Sequence, residues 1–308
     1  MKVLFWGTPE TAVPFLEFLH GRTPVSAVVT QPDAAVGRGL RVQPSPVKVF
    51  AAQRGIPILQ PEKLKDPAAI EAIRGLKPDL GIVVAYGKLI PRAIIDLFPK
   101  GLFNVHFSLL PRLRGAAPMQ RAILEGDAET GVTLFQITEA LDAGDLLVQK
   151  SIPLAEGDDA ISLEGKLVPL GLEALGEALD LVQRGAAILT PQKGTPTFAP
   201  MLSRDDARID WTRPAAQISR QVRALIRLGA HTRLPSGKLI KILQCDAVPG
   251  AGGKNPGAVR AFERDKGFLV ECGEGSLLVR RVQPEGKKPC DAWPFLQGAR
   301  LKEGDRLN

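Results

Sequence analysis

Cysteine, histidine and tyrosine are scarce in this chain of 308 residues, which holds three, three and one of them. Cys245, Cys272 and Cys290 stand far apart. An odd, widely spaced set forms neither a disulfide framework nor the close pairs of a zinc site, so reduced thiols in a cytoplasmic protein are expected. Any imidazole chemistry must come from His20, His106 or His231. The sequence lacks an apolar run of about 18 residues, which excludes a membrane-spanning helix. Met1 leads straight into Val3-Leu4-Phe5-Trp6 without a basic leader or a small-residue cleavage site, so no targeting peptide is expected. Neither the three-glycine dinucleotide fingerprint nor a GxxxxGK[ST] loop occurs. NAD, ATP and a bound metal therefore have no local support.

What is present describes a globular chain of about two domains. Hydrophobic residues make up 44% and charged residues 24%, with a mean hydropathy of +0.02. Charge is uneven along it. Residues 1–204 hold 21 basic and 21 acidic side chains, whereas 205–308 hold 19 and 12, so the whole excess of +7 sits in the last third. Such asymmetry suggests a polyanion partner bound through phosphate contacts, although a solvated basic surface reads the same way.

Apolar runs at Lys2–Trp6, Val25–Thr30, Leu80–Ala85 and Leu102–Val105 alternate with helical periodicity in the segments between them, including 45–54 and 67–75. This alternation predicts an α/β domain with an open, mainly parallel sheet. Thr8 or Glu10 is expected to cap the first helix, with Pro9 in its first turn. Gly131–Gln136 and Asp145–Leu154 read as a hairpin, and Ser162–Arg184 as a long helix. Thr190-Pro191-Gln192-Lys193-Gly194-Thr195-Pro196 has the composition of a linker. Beyond an amphipathic basic stretch at 213–229, short strands at Leu239–Leu243, Gly257–Ala261, Gly267–Cys272 and Ser276–Val282 suggest a small β-barrel of the OB type. The expected division is a catalytic domain over 1–189, a linker over 190–204 and a basic domain over 205–308.

Chemistry concentrates after the fourth strand. Asn104 and His106 are two residues apart and so project from one face of a strand. A loop with two prolines and a glycine, Ser108–Pro118, follows at the carboxyl end, where open α/β sheets bind ligands. Taken alone, the pair also reads as a core histidine beside an asparagine turn cap. Asp142, in the turn Leu141-Asp142-Ala143-Gly144-Asp145, shifts that balance. A carboxylate fixes a histidine's tautomer and raises its basicity, and an asparagine amide donates to a developing oxyanion. With no serine or cysteine nucleophile at the strand end, the set suits acyl transfer to an amine without a covalent intermediate.

Asn104-x-His106-x-Ser108-Leu109-Leu110-Pro111 with a downstream Leu-Asp-x-Gly turn resembles the formyltetrahydrofolate-dependent transformylases. Within them the chain is most similar to the branch that acts on tRNA. Phe5-Trp6-Gly7-Thr8-Pro9, Thr30-Gln31-Pro32-Asp33, Gly37-Arg38-Gly39, Pro44-Ser45-Pro46-Val47-Lys48, Val84-Ala85-Tyr86-Gly87, Ala207-Arg208-Ile209-Asp210-Trp211 and Gln283-Pro284-x-Gly286-Lys287-Lys288 carry that likeness. So do the loop from Arg112 to Gln120 and Gly126–Thr133. The resemblance implies a Rossmann-like formyltransferase domain, an OB-like C-terminal domain and a cytoplasmic monomer without membrane association. It also implies formyl transfer from 10-formyltetrahydrofolate to the α-amino group of methionine on initiator tRNA.

By the same resemblance, Asn104 polarises the formyl oxygen, and His106 assists proton transfer with Asp142 as its partner. Ser108, Leu109, Leu110 and Pro111 line the folate site, and the backbone around Lys88, Leu89 and Ile90 and from Glu139 to Asp142 holds the pterin. Arg38 and Arg41, on the loop from Pro32 to Pro44, reach the acceptor stem, and the Leu110–Pro111 bond is cis. Phe107 and Leu113 depart from the family pattern, being bulkier than usual and aliphatic for aromatic respectively. Three rivals remain. A glycinamide ribonucleotide transformylase would lack the basic C-terminal domain. A sugar amine N-formyltransferase is disfavoured by the basic tail and the Gly37-Arg38-Gly39 loop. A non-catalytic tRNA-binding protein would have no need of the Asn/His/Asp set.

Overall fold

The computed structural model describes residues 1–36 and 41–308, which divide into two compact units. The first comprises 1–118, 129–153 and 164–200, and the second 119–128, 154–163 and 201–308. The stretch expected as a linker is tied into the first unit by paired backbone: Thr190 bridges Leu146, and Phe198 bridges Arg114.

The first unit alternates strand and helix: β1 (Val3–Gly7), α1 (Val13–Arg22), β2 (Val25–Val29), a small hairpin β3 (Ala34–Val36) and β4 (Arg41–Gln43), α2 (Pro46–Gln53), β5 (Ile58–Leu59), α3 (Pro67–Gly75) and β6 (Leu80–Val84). It continues with α4 (Arg92–Ile95) and β7 (Leu102–His106). Beyond α5 (Pro118–Glu125), which falls to the second unit from residue 119, the first unit resumes with the hairpin strands β8 (Glu129–Gln136) and β9 (Leu146–Pro153) and with the long helix α6 (Ala160–Gln183) from Glu164 onward. Seven strands form one sheet in the order β5-β2-β1-β6-β7-β8-β9, parallel as far as β7 and antiparallel beyond. Every residue of β1 and β6 is buried. That explains their continuous apolar runs, since a parallel sheet is covered on both faces.

Neither Thr8 nor Glu10 caps the first helix. A 3₁₀ turn at Glu10–Ala12 precedes α1, Ala12 occupies the cap position without a side-chain bond, and the Thr8 hydroxyl donates to the Tyr86 carbonyl. Ser45 and Asp66 do cap α2 and α3, each followed by a proline in the first turn.

The second unit holds α7 (Ala215–Ala224), β10 (His231–Arg233), β11 (Leu239–Val248), β12 (Val259–Glu263), β13 (Gly267–Glu271), β14 (Ser276–Pro284), β15 (Cys290–Asp291) and α8 (Ala292–Ala299). Its strands are antiparallel in the order β10-β11-β14-β13-β12, with β15 on β14. α7 buries Ile218 and Val222 in the core beside Trp211, whose indole N–H donates to Thr232 Oγ1. The C-terminal tail joins the two sheet edges. Asn308 exchanges backbone bonds with Arg233 of β10, while Gly304, Asp305 and Leu307 bond Val259 and Gly257 at β12. β10 and β15 are not visible in the sequence, because two- and three-residue strands carry no periodicity.

Among the described residues no helix is long and apolar enough to cross a membrane.

Candidate active site

β7 lies between β6 and β8, with Asn104 opposite Val83 and Phe135 and with His106 opposite Thr133. The two-residue period places Asn104 and His106 on one face, as expected. His106 is buried, and its ring sits edge-on to Phe135. Phe107 points the other way, where it is buried with its ring edge-on to Phe15. The bulky departure at 107 is thus a core side chain on the face opposite Asn104 and His106.

Two loops converge on His106. In the first, the Leu113 carbonyl lies 2.9 Å from His106 Nε2. A carbonyl only accepts, so the neutral imidazole carries its proton on Nε2 and presents an unprotonated Nδ1. In the second, Asp142 Oδ2 stands 3.7 Å from Nδ1 and accepts the Gly115 N–H at 2.7 Å. The distance from Nδ1 exceeds a direct hydrogen bond. Burial holds the His106 imidazole below its ordinary value of 6.5, against the upward pull of the Asp142 charge and the Leu113 carbonyl. The carboxylate does pull His106 upward, but desolvation, which the sequence does not show, outweighs it.

The depressed value has a consequence for stability. As pH falls through 6.5 the unfolded chain takes up a proton that folded His106 refuses, so the folded state loses stability on acidification and keeps it above that pH. Thermal melts of wild type and His106→Gln between about pH 5 and 8 should show a steeper acid loss in wild type. Parallel curves would contradict the assignment.

Ser108 Oγ donates to the Arg112 carbonyl at 2.6 Å, closing the turn that contains Leu109, Leu110 and Pro111. The Leu110–Pro111 bond is cis. Thr133 underpins the same loop: its hydroxyl donates to Ser108 O, accepts from Leu110 N, and accepts from Gln149 Nε2, which also bonds Leu110 O. Thr133 on β8 lies opposite His106 of β7, and Gln149 on β9 lies opposite Thr133; only this register would have marked them. The Asp142 turn depends on Gly144, where an added Cβ would meet the Gln136 carbonyl oxygen at 1.7 Å. Gly144→Ala should displace the turn and cost on the order of 1–3 kcal/mol, measured by urea unfolding.

The remaining expected residues fall on neighbouring loops. Lys88 Nζ donates to Glu62 O at 2.9 Å, and Ile90 is buried in the core with Tyr86 and Ile94. Leu89 is 74% exposed, Leu141 is 48% exposed, and Glu139 is exposed as well. No internal hydrogen bond engages Leu89, Ile90, Glu139 or Leu141 among the described residues. Arg38 lies outside the described residues, and of Arg41 only the backbone, in β4, is described. The base of their loop is fastened. Thr30 and Ser45 share a buried hydroxyl bond of 2.7 Å, and Asp33 takes Lys48 Nζ at 2.7 Å and Gln60 Nε2 at 2.7 Å. Those two donors hold the Asp33 carboxyl below the usual carboxylate range.

Among the described residues no cluster of three or more His, Cys, Asp or Glu could hold a metal ion.

A doubly wound sheet with Asn, His and Asp gathered at the carboxyl end of one strand, followed by an antiparallel C-terminal unit, defines the class. The chain belongs to the formyl transferase family, whose models match residues 1–179 and, for its C-terminal domain, 201–300. Within the family, its full-length relatives include methionyl-tRNA formyltransferases. That of Citrifermentans bemidjiense is 44% identical over 100% of this chain and 96% of its own, and that of Symbiobacterium thermophilum 43% over 100% and 95%. Solved structures share the fold. An N-formyltransferase from Helicobacter canadensis in complex with folinic acid and dTDP-3-aminofucose superposes with a TM-score of 0.69 at 20% identity, covering 92% of this chain and 99% of that one. HypX from Aquifex aeolicus in complex with tetrahydrofolic acid gives 0.66 at 20% identity, over 100% of this chain and 50% of that one.

Proposed function

We propose that the protein transfers the formyl group of 10-formyltetrahydrofolate to the α-amino group of methionyl initiator tRNA, for translation initiation in the cytoplasm, and that it acts as a monomer. The observation that carries this reading is the Asn104–His106–Asp142 set within a chain that aligns end to end with methionyl-tRNA formyltransferases. The sugar amine alternative is not favoured: the similar sugar-acting structures are only about 20% identical.

The residues present fit a folate. Asn104 is half-buried, and its amide has no hydrogen-bond partner among the described residues, beside an imidazole that offers an acceptor. The backbone groups of Leu89, Ile90, Glu139 and Leu141, unpaired among the described residues, with the exposed side chains of Leu89 and Leu141, would offer a heterocycle both polar edges and apolar cover. Ser108, Leu109, Leu110 and Pro111 would flank the same ligand. Lys88 and Ile90 would contribute through their backbone, since the Ile90 side chain is committed to the core.

When bound, the folate supplies an activated formyl group. The chain's own residues then do three things. Asn104 Nδ2 donates to the formyl oxygen as negative charge develops there. His106 Nδ1 takes the proton that the α-amino nitrogen loses as it bonds the formyl carbon, a group near 7.7–8.0 being largely protonated at neutral pH, and would return that proton to the folate nitrogen as its own bond to the formyl carbon breaks. Asp142, held by the Gly115 N–H, stabilises the imidazolium so formed. The low basicity of buried His106 suits this brief role: the resting ring is neutral and ready to accept.

Arg38 and Arg41 would meet tRNA phosphates, and the basic residues of 205–308 would add to that field. Arg38→Ala is expected to reduce the slope of log K against log salt for tRNA by about 1, read by filter binding from 50 to 200 mM salt. An unchanged slope would remove Arg38 from the phosphate contacts.

A further inference from the structure

The segment 190–199 looks like a plain connector in sequence, yet it touches both loops that converge on His106. Thr190 exchanges backbone bonds with Leu146 at 2.8 and 2.9 Å, beside the Asp142 turn. Farther along, Arg114 N donates to Thr197 O, Ala199 N donates to Arg114 O, and Leu113 N donates to Thr197 Oγ1. Gln192 lies between these two attachments. Its Nε2 donates to the carbonyls of both Asp142 and Gly144, each at 2.8 Å, and its Oε1 accepts from Arg114 Nη2 at 2.6 Å and Nε at 3.2 Å.

We propose that Gln192 is a positioning residue for formyl transfer, its carboxamide locking the Asp142 turn to the Arg114 loop and so setting the distance between Asp142 and His106. The inference rests on the formyl-transfer reading. Three features support it. Asp142 has φ +46°, a left-handed conformation that aspartate tolerates better than most side chains but that still costs more than an extended one, so a turn held there benefits from external bonds. The Gln192 amide satisfies two carbonyls of that turn at once, a task needing two N–H donors on one planar group. The same amide engages Arg114, next to the Gly115 N–H that holds the Asp142 carboxylate. Backbone and carboxylate of Asp142 are therefore fixed from one connected frame. An ångström of drift there is worth about 10²-fold in rate.

The test uses the full chain as wild type, Gln192→Met, Gln192→Glu, Asp142→Asn and the Gln192→Met/Asp142→Asn double variant, with 10-formyltetrahydrofolate and methionyl initiator tRNA. Methionine keeps the side-chain length without any N–H donor. Gln192→Met should lower kcat about 10- to 100-fold and leave both KM values within about threefold. Gln192→Glu should not restore activity, since a carboxylate cannot donate to two carbonyls. In the Asp142→Asn background, Gln192→Met should cost less than about twofold more. The acid limb of the wild-type kcat profile should also shift to lower pH in Gln192→Met, because displacing the Asp142 charge removes an upward pull on His106.

A kcat within about twofold of wild type, or losses that multiply fully in the double variant, would overturn the role of Gln192 alone. A kcat loss matched by loss of near-ultraviolet circular dichroism would overturn it as well, by assigning Gln192 to folding. Wild type that makes no formylmethionyl-tRNA would overturn the formyl-transfer reading itself.

Discussion

His106→Ala is expected to lower kcat for formylation of methionyl initiator tRNA by about 10²–10⁴-fold, the span that a positioned general base contributes. The structure ties this loss to one atom. Nε2 is committed to the Leu113 carbonyl, so only Nδ1 can take a proton, and it faces Asp142. Without Nδ1 the amine must arrive already deprotonated. The residual rate should therefore climb with pH until about 7.7–8.0, where the amine itself titrates. In wild type the base adds its own limb below 6.5, because the buried ring resists protonation. A His106→Ala profile that overlays that of wild type would remove the imidazole from proton transfer. Circular dichroism of the variant separates this result from a packing defect, since His106 is buried against Phe135.

Asn104→Ala should cost about 10²–10³ in kcat, the worth of one oxyanion donor. The distinguishing feature is where the loss appears. A donor whose bond strengthens only as charge develops lowers kcat and kcat/KM together and leaves KM unchanged. Asn104 makes no hydrogen bond to the rest of the chain among the described residues, so truncating it should leave the melting temperature within a few degrees of wild type. Asn104→Asp should be no better than alanine, because a carboxylate beside the oxyanion repels it. Combining Asn104→Ala with His106→Ala should cost less than the product of the two losses, as for residues that act on one transition state. A raised KM for the folate with unchanged kcat would instead place Asn104 in ground-state binding.

The legible parts of this molecule are those with a period or a motif. β1 and β6 announce themselves as unbroken apolar runs because parallel strands are buried on both faces, and β2 and β7 as mostly apolar runs interrupted by Ser26 and by Asn104. α2 and α3 carry side-chain caps and early prolines within the segments their periodicity predicts. Asn104 and His106 share a face by strand geometry alone, and the Asp142 turn follows from Gly144 beside it. The first helix misleads, since Thr8 is drawn away from a cap by the Tyr86 carbonyl, a partner far along the chain.

The support of the site is likewise written in long-range contacts. Thr133, Gln149 and Gln192 carry no local signature, and each matters through the loop it touches from a distant segment. The chemistry of His106 shows the same limit: its neighbour's charge is visible in the sequence, but the burial that outweighs that charge is not. In the second unit, the closure of the sheet by residues 304–308 depends on backbone bonds alone, which any side chains could make.

The most direct test of the account is a parallel formylation assay with 10-formyltetrahydrofolate and three acceptors: methionyl initiator tRNA, methionyl elongator tRNA and glycinamide ribonucleotide, each with wild type and His106→Ala. Rapid transfer to the initiator tRNA alone, lost by orders of magnitude in His106→Ala, is the predicted result. Salt-sensitive tRNA binding without transfer to any acceptor, or transfer unaffected by His106→Ala, would contradict it.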